Sequence, residues 1–356
     1  MPLGIAIPRY ALARMIRACQ IAGNRPNTFT IAITPMLRAC IVMALLAATN
    51  PAQNVARPSQ DEQLANVNQL LERGRTSEAE RLLRQVIPKP EEEPIQGTGI
   101  FTQAGLHDIL WAVVGYSYLG ANDYTDAERV AGERLRAVEI KGQAAAGHLP
   151  IFLSLMAEVQ RLQGKHAAAF PLYVRLYQLW LDNQLPADFQ KRSTLGYVEC
   201  LIVRGETATA ELVARPPVDT DGSAVGPSFH EDIFNTYAVA MEAAGHKAAA
   251  AQFEQKIDAE SRRPPAANQQ DRDLLRARLM SARNQDAGAE AIYQKWTAYW
   301  KTANLPAGMD PKESLQIRTV ALTGYSHFLS VHRRSREAQA ILSQLTALGC
   351  RFGTCD

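Results

Sequence analysis

No aspartate or glutamate occurs in the first 60 of the 356 residues, and no serine precedes Ser59. The apolar run in that stretch, Ala39 to Ala48, is about half of the roughly twenty residues that a bilayer-spanning helix needs. No long Gly/Ser linker divides the chain, and no alternating β-branched run suggests a strand. Cysteine is scarce. Of the five, Cys19 and Cys40 lie early, leaving Cys200, Cys350 and Cys355. Cys350 and Cys355 have no His or Cys neighbours, which makes a poor metal site. Cys200 sits on an apolar helix face and reads as core. Signatures of chemistry are missing too. His230-Glu231 lacks the second His of a zinc-protease motif, and no G-x-S-x-G or phosphate-cradling Gly-rich loop appears. His327 and His332 are five apart, which does not set them on one helix face for a shared metal.

The acid-free start reads as a leader. Met36-Leu37-Arg38, the apolar run and the polar tail Thr49 to Ala56 have the layout of a secretory signal peptide. The expected division is therefore 1–35 as a non-native or disordered extension, with Met36 as initiator, and 36–56 as signal peptide. A body over 57–348 and a tail over 349–356 follow. An uncleaved membrane anchor and an organellar transit peptide built on Arg9, Arg14 and Arg17 are the alternatives. Removing 1–56 takes away five Arg and no acid, so Lys+Arg falls from 38 to 33 against 36 acids and the formal charge moves from +2 to −3. A near-neutral body argues against nucleic acid as partner. In an exported chain Cys350 and Cys355 could close a small disulfide at the C-terminus; two unpaired thiols are the alternative.

What is present is a repeated outline. Trp111, Val114, Gly115 and Tyr118 fall at i, i+3, i+4 and i+7, one face of a helix. Gly115 has no side chain to hold a neighbouring helix away. Gly120-Ala-Asn-Asp123 breaks the helix, and Tyr124, Ala127 and Ala131 face inward from a second one. The same outline recurs around Ala79, Ala169, Ala210, Ala250, Ala289 and Ala338, at spacings of 39 to 49 residues. Gly74, Gly164, Gly205 and Gly245 occupy the turns. Asn122 and Asn284 stand in for glycine because Asn tolerates left-handed backbone. A lone hairpin of this size cannot bury its apolar face, whereas stacked neighbours can.

This pattern, W-x2-x-G-x2-Y followed by Y-x2-A on Trp111, Gly115, Tyr118, Tyr124 and Ala127, resembles the tetratricopeptide (TPR) repeat. The resemblance covers 60–348, with units longer than the usual period of about 34. It implies an all-α, right-handed superhelical solenoid of about seven antiparallel helix hairpins.

The resemblance also implies a concave groove, lined by the first helix of each unit, that holds a protein or peptide segment. Carried over by position, its lining includes Tyr116, Glu158, Arg161, Glu199, Asn235, Arg278 and His327, beside Ala112, Ser154, Leu195, Val239, Leu274 and Thr323. The Lys-and-Asn clamp that some members use for a terminal carboxylate is not reproduced; only Asn235 falls on such a position. The basic run His332-Arg-Arg-Ser-Arg336 reads as a solvated turn. The expected function is an exported adaptor without catalysis or cofactor. A membrane-held envelope assembly factor and, last, a hydrolase with an unrecognised site are the other readings.

Overall fold

The computed structural model describes residues 60–87, 103–142, 147–182, 187–215, 231–261, 263–302, 311–348, 350–351 and 354–355. The stretch expected to be a leader, with Cys19 and Cys40, and the stretches that begin at Pro88 and Pro216 lie outside them. Fourteen α-helices make up nearly all of the described chain. In order they are α1 (Gln60–Glu72), α2 (Thr76–Val86), α3 (Gln103–Gly120), α4 (Tyr124–Lys141), α5 (Leu149–Leu162), α6 (His166–Leu181) and α7 (Ala187–Val203). Then come α8 (Thr207–Ala214), α9 (Glu231–Ala243), α10 (Lys247–Glu260), α11 (Pro265–Ala282), α12 (Asp286–Thr302), α13 (Pro311–Val331) and α14 (Ser335–Ala347). The fold is all-α. One short antiparallel pair, β1 (Cys350–Arg351) and β2 (Thr354–Cys355), follows α14 and sets Cys350 opposite Cys355. No strand is expected there from the residues, which are too few to carry a period.

Each odd-numbered helix is followed after three residues by the even-numbered helix it packs against. All seven turns have one geometry. The middle residue is left-handed: Gly74, Asn122, Gly164, Gly205, Gly245, Asn284 and Arg333, with φ from 59° to 94°. The third residue's N–H reaches back five positions, as in Arg75 to the Leu70 carbonyl (2.8 Å), Asp123 to Tyr118 (2.9 Å) and Arg334 to Leu329 (2.8 Å). This is the Schellman closure, which satisfies carbonyls that a helix end otherwise leaves unpaired. The carbonyl of that third residue accepts the first i to i−4 bond of the next helix, and in every case that donor is the N–H of the recurring alanine, from Ala79 to Ala338. Those alanines are at most 3% exposed, because only a methyl fits where the paired helices cross.

Small residues also set the approach between pairs. A Cβ on Gly115 in α3 would lie 2.4 Å from Leu155 Cδ2 in α5, and one on Gly196 in α7 would lie 2.2 Å from Tyr173 Cζ in α6. Tyr173 is 1% exposed, filling the space that Gly196 leaves. Buried Asp108 in α3 pairs with Arg134 of α4 and, at 2.5 Å, with His148 just before α5, tying three helices together through one carboxylate.

Helix starts differ from the residue pattern in two places. Pro264-Pro265 reads as the end of the fifth unit, with the sixth starting at Asp271. Instead Pro265 is the first residue of α11, where its missing N–H has no partner to lose and its fixed φ suits the helix. Likewise α3 begins at Gln103, inside the stretch assigned to a loop up to about Gly105. By contrast α8 stops at Ala214, and Arg215 is extended, as the steric demand of the following Pro216 requires.

Candidate functional site

The odd-numbered helices bring a row of charges together. Glu158 and Arg161 sit one turn apart on α5 and form a two-pronged bridge, with Nε–Oε2 at 3.0 Å and Nη2–Oε1 at 2.6 Å. Arg161 also donates to Glu199 on α7 (2.8 Å), and Glu199 accepts from Arg278 on α11 at the same distance. The Arg161 and Glu199 side chains are each 3% exposed, whereas those of Glu158 and Arg278 are 22% and 21% exposed. His166, at the start of α6, reaches Glu199 through Nε2 at 3.3 Å and the Gly164 carbonyl through Nδ1 at 3.1 Å. Tyr173 donates its hydroxyl to Glu158 at 3.0 Å.

Burial pushes the Glu199 carboxyl up, but Arg161, Arg278 and His166 outweigh it and hold the group well below the usual carboxylate range. Burial also opposes the charge on Arg161, and the facing Glu158 and Glu199 carboxylates keep it protonated. Buried charges persist only when paired and hydrogen-bonded in this way.

The row borders a cavity of about 320 Å³, the lower end of the range for small-ligand pockets. Tyr116, Glu158, Arg161, Glu199, Arg278 and His327 all line it, as do Leu274 and Thr323. Eight of the thirteen residues counted along the first helices therefore meet at one place, and Ala112, Ser154, Leu195, Asn235 and Val239 are not among its lining. Asn235 does not line it. It lies 2% exposed on α9 and accepts from Arg272 at 3.0 Å. The direct bridge from Glu199 on α7 to Arg278 on α11 bypasses α9, which packs behind both.

The far wall comes from α13, and there the chain meets itself. Tyr124, at the start of α4, hydrogen-bonds His327 Nδ1 on α13, with ring centroids 5.8 Å apart. Beside it Asn122 Nδ2 donates to Ser326 Oγ at 3.2 Å. His327 is 8% exposed, and burial lowers its pKa to about 4; Glu158 pulls it back up, and Arg161 and Arg278 push it further down. The ring is neutral at pH 7.

Among the lining residues not anticipated from the residue pattern are His166, Ser281 and His332. They lie at helix ends, beyond the positions counted along each first helix. Ser281 Oγ meets His332 Nε2 at 3.2 Å, and Asp286 meets the same nitrogen at 3.4 Å. Nucleophilic relay needs the carboxylate on the opposite ring nitrogen, so this cluster is not arranged as a triad. Among the described residues no group of three or more His, Cys, Asp or Glu could hold a metal ion, and no helix is long and apolar enough to cross a membrane. Cys200 is buried, with its thiol pushed up to about 12 by burial and then by Glu199, far from the reactive range. Compared with models of known protein families the chain matches none, and it matches no curated protein.

Proposed function

We propose that the seven helix pairs stack as a right-handed TPR-like solenoid, curled until its second pair touches its seventh. In this reading the chain is an exported adaptor that binds a protein or peptide segment on its concave face and does no chemistry. The observation that carries it is the convergence of Tyr116, Glu158, Arg161, Glu199, Arg278 and His327, drawn from five first helices, on one cavity. Curling replaces an open groove with a chamber. It admits a short stretch of partner, such as a chain end, in place of a long extended peptide. Rigid walls and fixed charges then supply recognition without reordering.

Site-specific photocrosslinking tests this. A photoreactive residue at Tyr116, inside the chamber, is expected to capture a partner in the native envelope. The same residue at Leu212, 64% exposed on α8, should not. Capture at Tyr116 should vanish when Val320→Trp fills the chamber. Equal capture from both positions, or capture insensitive to the filling residue, would rule the chamber out.

A disulfide between Cys350 and Cys355 belongs to the same reading, since export supplies the oxidant. Residues paired across an antiparallel ladder have Cα atoms about 4.5–5.5 Å apart, within the reach of the bond. Alkylation of the native protein before and after reduction checks it; two tail thiols reactive without reductant would refute it.

A further inference from the structure

We infer that the segment held in the chamber carries an acidic side chain, Asp or Glu, just outside it, on Arg283 and Arg333 at the mouth. This rests on reading the chamber as the binding site. Of the residues lining the chamber, Gly164, Asn284 and Val331 alone are exposed. They lie at the α5–α6 turn, at the α11–α12 turn and at the end of α13, so the chamber meets solvent there. The last two of these places abut, because Ser281 Oγ lies 3.2 Å from His332 Nε2. Arg283 falls between the lining residues Ala282 and Asn284, and Arg333 directly follows the lining residue His332. Both arginines are exposed.

The acids near these turns are engaged. Glu128 holds Lys165 (2.9 Å), and Asp286 meets Ser281 (3.3 Å) and His332 (3.4 Å). Glu290 and Glu337 share Arg334, at 2.7 and 2.6 Å. Among the described residues Arg283 and Arg333 have no ion pair. The mouth therefore offers two guanidiniums without a counter-charge, and a guanidinium fork matches a carboxylate with two parallel N–H bonds.

Arg333 also carries a strained backbone. It holds φ 60°, where the other six turns have Gly or Asn. That conformation is unfavourable for arginine, and strain of this kind collects at functional sites. Glycine would suit the turn better but would bring no charge. Charges at a rim govern partner choice and encounter more than total affinity. Exposed pairs are weak and screened by salt, so each arginine is worth roughly threefold in binding.

Panning a displayed library of random peptides against the full chain tests this. Selected peptides should carry Asp or Glu beside an aliphatic residue, which suits the wall of Leu119, Leu162, Val320 and Phe328. With Arg283→Gln and Arg333→Gly combined, the acidic position should lose its enrichment, and a selected peptide should bind roughly tenfold more weakly. Arg333→Gly alone relieves the strained turn, so a loss of acidic preference there is not a loss of folding. Peptides selected without an acidic position, or an acidic position kept by the double variant, would overturn the assignment. Where such peptides are lost with Val320→Trp, the chamber stands as a peptide site. No selected peptide at all would overturn both. Vesicles of phosphatidylglycerol that bind the full chain but not the double variant would give the two arginines to an anionic lipid surface and overturn the acidic segment.

Discussion

Tyr124 and His327 are 203 positions apart and share a hydrogen bond. With Asn122–Ser326, that contact ties the turn between α3 and α4 to α13. These two side-chain pairs hold α13 against that turn, so the contact is sensitive to small changes at either.

Acid should loosen the closure. Unfolded, the His327 ring titrates near 6.5; folded, it titrates near 4. Between those values the unfolded chain binds a proton that the folded chain does not, so stability is full above 6.5 and falls as pH drops toward 4. The shift corresponds to about 3 kcal/mol. Urea unfolding at pH 7 and pH 4.5 should show the loss, and His327→Gln, which does not titrate, should show less of it. An equal loss in protein and variant would remove His327 as the cause. Tyr124→Phe should cost about 1 kcal/mol, the usual net value of a hydrogen bond.

Local features of the fold were legible and its long-range contacts were not. Ala127 and Gly115 announce a close helix crossing because only small side chains permit one, and the expected approach is there in the Leu155 contact. Asn122 and Asn284 stand in turn positions, with φ of 61° and 59°, because Asn accepts that conformation. Counting positions along first helices singles out Glu158, Glu199 and Arg278, with Arg161 one turn further on, and all four line one cavity. Tyr124–His327 obeys no period. It joins α4 to α13 across 203 positions, which no local pattern encodes. Asn235 is not in the lining of that cavity; it accepts from Arg272, a partner that no period along α9 announces.

Arg333 is the turn residue that the pattern does not explain. It holds φ 60° in the position that the other turns give to Gly or Asn, and it is exposed. A left-handed backbone costs an ordinary L-residue about 1–2 kcal/mol. Arg333→Gly should therefore raise stability by about 1 kcal/mol after the entropy of the freer unfolded chain is counted. A lowered urea midpoint would show that the arginine side chain holds something in place.

Glu80 on α2 makes a second acid-sensitive point. It accepts from Arg129 through both oxygens (2.7 and 2.8 Å), from Tyr118 (2.7 Å) and from Arg84 (2.8 Å). Burial pushes its carboxyl up, and these donors outweigh that to hold it at about 2. Its contribution is present above 4.5 and drains as pH falls through 2. Glu80→Gln should cost about 2 kcal/mol at pH 7, as hydrogen bonds to a charged group do, and the gap to the unaltered protein should narrow at pH 2–3. A constant gap across that range would mean that packing, not charge, is lost.

Gly196 and Gly115 both sit where a methyl would collide, yet their alanine variants should differ. At Gly115 the nearest atom is Leu155 Cδ2, the end of an aliphatic side chain that can turn aside. At Gly196 the obstacle is the Tyr173 ring, with three atoms within 2.5 Å. That ring cannot move without releasing its hydroxyl from Glu158. Overpacking costs about 1–3 kcal/mol, so Gly115→Ala should lie at the low end. Gly196→Ala should lie at or above the high end and also weaken whatever the chamber binds. Thermal melts rank the two variants, and photocrosslinking from Tyr116 reads the second effect. If Gly115→Ala proves the costlier, or if Gly196→Ala leaves binding untouched, then Tyr173 does not position Glu158.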